Sequence, residues 1–321
     1  MIRYSLLESS SLSLFLDYMN ISSMERNNQR AAYLYAGLAV ICWSTIASAF
    51  KIALAGSEIL LLLFTANLTA LAVYFIFIVF SGKTNQLFSK SLRSYFRSML
   101  MGLLNPFMYY IILLKAYSLL PAQLAQPLNF IWPVTFMLLA IPMLGHKFSF
   151  QSLIALLLSF TGVFFIASRN HLTSFSIEEP AGILLALGSS VIWALYWILN
   201  LRDRRDDHVK FFLNFFFSAV YLFIVLAITG NFQIHHSVRL LPAIYIGLFE
   251  MGITYIFWLK SLELASYPER ITNVIYLTPF LSLVLIHLVL KEKIYITSVV
   301  GLFLIVSGII IQNYKRKETN T

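Results

Sequence analysis

The chain repeats a stretch of its own sequence: residues 102–115 read GLLNPFMYYIILLK, and residues 247–260 read GLFEMGITYIFWLK. A shift of about 145 positions superposes the two stretches without a gap. The identical positions include Gly102 and Gly247, Tyr110 and Tyr255, Leu114 and Leu259, and Lys115 and Lys260. Several matches in one register indicate a duplicated unit rather than chance apolar similarity.

The repeat extends to both sides of these stretches. One further residue of shift superposes three more pairs, which are Pro133 and Pro279, Lys147 and Lys293, and Gly162 and Gly308. A weaker match, at a shift of about 150 positions, places Trp43 over Trp193. The chain therefore divides into two similar halves.

The composition indicates where these halves reside. Of the 321 residues, 59% are hydrophobic and 12% are charged, and the mean hydropathy is +0.79, whereas a soluble domain is about 25% charged. This excludes a soluble enzyme or nucleic-acid-binding protein, despite the net charge of +9. Because Cys42 is the one cysteine, an intrachain disulfide and a thiolate metal cluster are also excluded.

Long apolar runs predict ten membrane-spanning helices, because about 20 apolar residues cross the hydrocarbon core. The runs lack the short alternating pattern of membrane-barrel strands. In the first half they cover residues 32–51, 58–80, 98–117, 121–143 and 149–168. In the second half they cover residues 181–200, 211–229, 242–260, 268–290 and 295–313.

Each half has five spans. Because five is odd, the chain ends the first half on the opposite side of the membrane, and the second half therefore has the inverted orientation. The predicted fold class is an all-α polytopic membrane protein, with two inverted five-helix repeats at residues 31–168 and 181–313. Inverted repeats can exchange conformations across an axis in the membrane plane, as alternating-access carriers do. The pattern therefore favours transport.

The two ends of the chain differ from the spans. Residues 1–30 have a weak apolar centre interrupted by Asp17, so we expect a disordered or surface-lying tail without a secretory signal. Translation starts either at Met1 or at Met24, which precedes a short charged segment before the first span. Residues 314–321 form a basic tail. With both termini on one side, that side holds 17 of the 23 Lys and Arg residues. We therefore expect a multi-pass protein of the cytoplasmic (inner) membrane with both termini cytoplasmic.

These motifs resemble the drug/metabolite transporter superfamily, in particular bacterial carriers with two EamA-type domains. The resemblance covers residues 32–313 and rests on Trp43, Trp193, Pro133, Pro279, Glu292, Lys293, Gly162 and Gly308. In the first half, His146 stands where the family has the glutamate. The motifs NFIWP (129–133) and IYLTPFLS (275–282) look most like those of amino-acid and metabolite exporters, so the resemblance implies export of such a solute.

Glu250 is the first candidate site residue, because it lies near the middle of the eighth span. A charge there costs about 2.5 to 3.5 kcal/mol, which some function or partner has to offset. The repeat places Asn105 at the equivalent depth, facing Glu250 across the axis between the halves. Glu250 either binds a substrate amine or a coupling proton, or it is a protonated structural residue.

The fourth and ninth spans supply a second set of candidates. Polar residues recur there at helical spacing beside a proline, and they are Gln126 and Asn129 before Pro133, and Asn273 and Tyr276 before Pro279. Proline frees a carbonyl one turn upstream, and broken helices near the midplane line substrate sites in carriers. We expect the two equivalent prolines to serve a shared gating role, the alternative being a packing kink.

Aromatic side chains form a third set, because they can hold an organic cation or ring inside an apolar bundle. The candidates for substrate binding are Tyr109, Trp132, Trp193, Trp197 and Trp258, with Trp43 and Tyr196 beside them. The alternative for each is a core or membrane-interface position. Trp193 and Trp197 form the best stripe because they are four residues apart.

The leading functional interpretation is a secondary carrier for a small organic metabolite, an amino acid or related amphipathic solute. The alternatives are a carrier of S-adenosylmethionine or a nucleotide-like metabolite and, more remotely, a membrane-embedded transferase. The expected partners are the solute, the lipid bilayer and, for a coupled carrier, protons, with no nucleic acid. We expect no enzyme activity, cofactor or metal, and either a monomer or a homodimer.

Overall fold

A computed structural model of the protein describes residues 2–88, 91–145, 149–169, 179–230, 240–266 and 271–313. Over these ranges it contains helices and no strand. Within the described residues, nine helices are long and apolar enough to cross a membrane, and a tenth apolar helix is shorter. In chain order the ten are α1 (Ile2–Leu54), α2 (Ile59–Phe80), α3 (Leu92–Leu119), α4 (Ala122–Leu144), α5 (Phe150–Ala167), α6 (Pro180–Leu201), α7 (Asp207–Thr229), α8 (Leu240–Leu264), α9 (Asn273–Leu290) and α10 (Ile296–Asn313). The predicted all-helical membrane fold is confirmed.

The first helix is longer than the apolar span Asn28–Leu54 that it contains, because it begins at Ile2. No proline or glycine precedes Gly37, so nothing in that stretch interrupts a helix. This helical backbone differs from the predicted disorder, and the place of the tail on the bundle stays a prediction. His146, Lys147 and the basic tail 314–321 lie outside the described residues.

Contacts between helices follow the repeat. Helix α1 packs along α8 as α6 packs along α3, and α1 contacts α9 as α6 contacts α4. Helix α2 packs against α7, and α5 packs against α10. Exchanging the first five helices for the second five leaves this pattern unchanged, as a twofold relation between inverted repeats requires.

Small residues bring α5 and α10 together. A Cβ added to Gly162 would lie 2.5 Å from the carbonyl oxygen of Gly301, and one added to Gly308 would lie 2.8 Å from that of Ala155. Gly102 and Gly247 likewise pack on the backbones of α7 and α2. Repeat-related glycines therefore mark the closest helix crossings.

Four helices are interrupted, in two repeat-related pairs. Helix α3 has non-helical backbone at Asn105 (φ −147°, ψ 123°), and α8 departs from helical geometry at Gly252 (φ −106°, ψ −96°). Helix α4 divides into Ala122–Asn129 and Trp132–Leu144, and α9 changes from a tight turn over Asn273–Leu277 to an α-helix at Thr278. These breaks surround the candidate site.

Candidate functional site

Glu250 lies at the interruption of α8, where the helix leaves carbonyl groups without intrahelical partners. Side chains occupy those carbonyls: Trp43 Nε1 donates to the carbonyl of Glu250 (3.4 Å), and the Tyr74 hydroxyl donates to that of Met251 (2.7 Å). The Thr254 hydroxyl donates to the carbonyl of Phe249 (2.5 Å). The break is therefore a hydrogen-bonded part of the structure, which positions Glu250.

The carboxylate of Glu250 is partly buried, and it accepts one hydrogen bond, from the hydroxyl of the buried Tyr110 (3.0 Å). No ion pair reaches Glu250 from any described residue. Three cations of the spans have other partners: Lys51 donates to main-chain carbonyls at the end of α3, Lys210 pairs with Asp207, and Lys260 pairs with Glu263. The site therefore carries one carboxylate and, among the described residues, no compensating cation.

Aromatic rings from four helices lie in contact near this carboxylate. Tyr109 lies 4.6 Å from Trp193 between ring centroids, and Trp193 lies 6.3 Å from Tyr255. Tyr255 lies 5.8 Å from Trp43 and, almost parallel, 6.4 Å from Trp197. We call Trp43, Tyr109, Trp193, Trp197 and Tyr255 the aromatic wall.

Hydrogen bonds connect α4 to this wall and to α9. The Tyr109 hydroxyl donates to Asn129 Oδ1 (3.2 Å), and Asn129 Nδ2 donates to the Ser189 hydroxyl (2.8 Å). The Ser282 hydroxyl of α9 donates to Gln126 Oε1. The structure thus links three of the predicted residues, Tyr109, Gln126 and Asn129, to one polar region between the two interrupted helices.

Other predicted residues surround this region or stand apart from it. Asn105 is buried beside the hydroxyl of Tyr196, and Trp258 is buried against Trp43, with the ring centroids 5.7 Å apart. Tyr276 is buried in the core. Their roles in binding stay predictions.

Trp132 is half-buried and Asn273 is exposed. Within the described part of the chain, neither a hydrogen bond nor a ring contact joins these two residues to the aromatic wall. Pro133 and Pro279 each occupy the first turn of the helical segment that follows a break, where proline loses no hydrogen bond. That position suits a hinge, and the gating role stays a prediction.

Sequence reasoning missed Tyr110, Tyr255, Ser189 and Ser282 as site residues. The two tyrosines carried a signal, because they superpose in the repeat and a repeat axis runs through a carrier site. The two serines carried none, since serine is common in membrane helices and only the folded chain places them beside α4.

One end of the bundle is closed by a contact between the halves, which we call the clasp. The carboxylate of Glu292, after α9, accepts from the backbone amides of Ala122 (3.0 Å) and Gln123 (3.3 Å) at the start of α4. The Gln123 amide nitrogen in turn donates to the carbonyl of Lys293 (2.8 Å), and the backbone amide of Tyr295 donates to Gln123 Oε1 (2.9 Å). The helix N-terminus and the carboxylate stabilise each other.

Ion pairs hold the opposite end. The buried carboxylate of Asp203 lies 2.6 Å from an Arg205 nitrogen and 3.3 Å from one of Arg97, and Lys83 lies 2.6 Å from Asp206. Burial acts to raise the pKa of Asp203, but the hydrogen bonds from Arg205 and the charges of Arg205 and Arg97 hold it below its ordinary value. The pKa of Asp206 is also below its ordinary value. Burial acts to raise this pKa, but the hydrogen bonds from Lys83 and the amide of Val209, together with the charge of Lys83, outweigh burial.

Comparison with known proteins gives a consistent family. The sequence matches the EamA-like transporter family over residues 30–168 and again over residues 180–314. An uncharacterized transporter of Clostridium kluyveri is 30% identical over 148 residues, which cover 44% of this chain and 47% of that protein. The uncharacterized transporter YvbV of Bacillus subtilis is 28% identical over 222 residues, 67% of this chain and 71% of that protein.

A likeness of fold accompanies these matches. One solved crystal structure superposes with a TM-score of 0.62 over 88% of this chain and 96% of that chain, at 18% sequence identity.

Proposed function

The chain belongs to the EamA-like transporter family, and we propose that it is a secondary carrier that moves a small organic solute across the cytoplasmic membrane by alternating access. Net movement is export, in line with the resemblance to amino-acid and metabolite exporters. The carrier uses the proton gradient or exchange of one solute for another.

The repeat supports the alternating-access mechanism. The main contacts between the halves, of α1 with α8 and α9, have counterparts in the contacts of α6 with α3 and α4, so inward and outward states can be built from similar contacts. The clasp between Glu292 and the start of α4 closes one end, which is the external end in the predicted orientation. Opening there separates α4 from the connection between α9 and α10.

The single observation that carries the proposal is the setting of Glu250. A partly buried carboxylate with one hydrogen-bond donor and no cationic partner among the described residues is complementary to a positive charge. Rings of the aromatic wall are suited to the apolar or cationic part of the same solute. The solute is therefore an amphipathic amine, and the same carboxylate binds a proton when the amine is absent.

The aromatic wall also supports a second candidate function, transport of S-adenosylmethionine. S-adenosylmethionine combines positive charge with a flat adenine ring, and the near-parallel rings of Trp197 and Tyr255 are suited to stacking with such a ring. An amino acid and S-adenosylmethionine both carry an amine that would bind Glu250, so Glu250 does not distinguish them. Counterflow measured with each compound in turn does.

The test is counterflow in proteoliposomes loaded with phenylalanine, phenethylamine or S-adenosylmethionine, at two external pH values. Glu250→Gln is expected to abolish counterflow of the amine and its dependence on pH. Glu263→Gln is the matched control, because Glu263 is an exposed carboxylate paired with Lys260 at the end of α8. It is expected to behave as the unsubstituted protein.

Saturable counterflow of one compound class supports the carrier and identifies its substrate. Unchanged pH dependence in Glu250→Gln would contradict the role of Glu250 in proton binding. Conversion of a compound without flux would contradict the carrier and support the transferase alternative.

A further inference from the structure

A polar cavity lies at the predicted cytoplasmic end of the bundle, away from Glu250. It has a volume of about 570 Å³ and is lined by Gln86, Arg93, Ser94, Arg97 and the connection 203–206 between α6 and α7. The cavity thus lies between the α2–α3 region of the first half and the α6–α7 connection of the second. We call it the cytoplasmic cavity.

Its lining carries unbalanced positive charge. Arg97 and Arg205 share the carboxylate of Asp203, and Asp206 pairs with Lys83. Arg93 and Arg204 are exposed, and neither forms an ion pair or a side-chain hydrogen bond with any other described residue. Two guanidinium groups therefore line one polar cavity without an acceptor among the described residues, which is an arrangement suited to a phosphate group.

The surface beside the cavity indicates where that phosphate comes from. Leu92, Phe96 and Leu100 follow one another at helical spacing along the start of α3, and they are 88%, 56% and 47% exposed. Arg93 and Arg97 have the same spacing, one position further along the chain, so a basic stripe runs beside the apolar stripe. A helix with this pattern lies where acyl chains meet headgroups.

From these observations we propose that the cytoplasmic cavity binds the headgroup of an anionic phospholipid. Arg93 and Arg204 hold the phosphate, and the acyl chains lie along the apolar stripe of α3. Basic pockets between helices on the cytoplasmic side attract anionic lipids in this way. Because the cavity is lined by both halves, the bound lipid connects them at this end.

The proposal is tested on the full-length protein in micelles containing equal amounts of phosphatidylglycerol and phosphatidylcholine, with retained lipid identified by native mass spectrometry. The unsubstituted protein is expected to retain phosphatidylglycerol preferentially. The double variant Arg93→Gln with Arg204→Gln is expected to lose that preference about tenfold or more, since each basic residue near the surface contributes to binding anionic lipid.

The matched control is Arg30→Gln with Lys115→Gln, which removes two exposed cations far from the cavity in sequence. It is expected to retain phosphatidylglycerol as the unsubstituted protein does. Because Arg93 and Arg204 have no partner among the described residues, the test variant is expected to melt at an unchanged temperature.

Three results would overturn the proposal. They are equal retention of phosphatidylcholine, unchanged retention in the Arg93/Arg204 variant, and an equal loss in the control. A fourth result would also overturn it: complete loss of phosphatidylglycerol in millimolar inorganic phosphate would identify a soluble anion as the preferred ligand. Because none of these readouts depends on transport, failure here leaves the carrier function untouched.

Discussion

Glu250 illustrates how an ionisable group is kept inside a membrane bundle. Its carboxylate has one donor, Tyr110, while the carbonyls around it are occupied by Trp43 and Tyr74. Main-chain groups are therefore satisfied by the protein, and the carboxylate retains hydrogen-bonding capacity. This difference is what makes Glu250 a candidate for binding solute and not only for packing.

At the residue scale we predict that Tyr110→Phe weakens solute binding. The substitution removes the hydrogen bond that orients the Glu250 carboxylate, and a hydrogen bond to a charged group contributes about 1.5 to 3 kcal/mol. The expected result is an apparent affinity about tenfold or more lower, measured by substrate-concentration dependence of counterflow.

Tyr33→Phe provides the control for this measurement. Tyr33 is 42% exposed on α1, so the loss of its hydroxyl is expected to leave the affinity unchanged. An unaltered affinity in Tyr110→Phe would mean that the hydroxyl of Tyr110 does not orient the carboxylate.

At the element scale, helix pairs depend on close backbone contact as well as on apolar surface. Helices α5 and α10 cross where Gly162 faces Gly301, so a side chain on either residue would displace the other helix. Without a hydrophobic driving force between helices in lipid, such close packing is the main source of their association.

We predict that Gly162→Ala destabilises the protein by about 1 to 3 kcal/mol, the usual cost of overpacking. The added Cβ would lie 2.5 Å from the carbonyl oxygen of Gly301. The measurement is unfolding of the purified protein in mixed micelles.

Gly188→Ala is the matched control, because a Cβ at Gly188 in α6 has no neighbour within 4 Å. Alanine is the better helix former, so this variant is expected to be as stable as the unsubstituted protein or more so. Equal destabilisation by both substitutions would contradict the close crossing of α5 and α10.

A second prediction at this scale concerns Asp203, which joins α3 to the connection between α6 and α7. Its folded-state pKa lies below that of an unfolded aspartate, about 3.9. The stability that it contributes is therefore fully present above pH 4 and is lost as the pH falls through the folded-state pKa.

Asp203→Asn is accordingly expected to lower the stability at pH 7 by about 1 to 3 kcal/mol, because Arg205 loses a charged partner in a buried setting. It should also flatten the fall in melting temperature as the pH drops below about 4. Asp17→Asn, in the N-terminal segment, is the control. A variant that keeps the full acid dependence would exclude Asp203 as its source.

At the scale of the whole molecule, the chain consists of two similar halves whose ends are held differently. The clasp of Glu292 closes one end by capping a helix, and the network around Asp203 closes the other by ion pairs. The repeat therefore provides exchangeable contacts in the middle, while the connections distinguish the two faces. In the carrier proposed above, this difference would bias which face opens.

The predicted orientation can be tested on the whole protein with single cysteines in a Cys42→Ala background. Cysteine at Asn85, before α3, is expected to react with a membrane-impermeant maleimide only after the membrane is opened. Cysteine at Ala55, after α1, is expected to react in intact cells. The reverse labelling would mean that both termini lie outside.

Most of the architecture could be predicted from the sequence, because in lipid a long apolar run satisfies its backbone only as a helix. The candidate site, whose role in binding stays a prediction, could be located in part. Glu250 and Asn129 stood out as polar residues in apolar spans, and the prolines indicated the breaks. Tyr110, Ser189 and Ser282 did not stand out, because the role of a hydroxyl in a membrane helix depends on its hydrogen-bond partner. That partner is known only from the folded chain.

The sequence by itself determined the ten apolar helices, the inverted repeat and the family, since hydropathy and register are properties of the chain as written. Only the tertiary structure decided that Tyr110 donates to Glu250, that aromatic rings from four helices meet beside it, and that Arg93 and Arg204 share one cavity. These relations join residues far apart in sequence. They arise from how the helices pack, which no local pattern encodes.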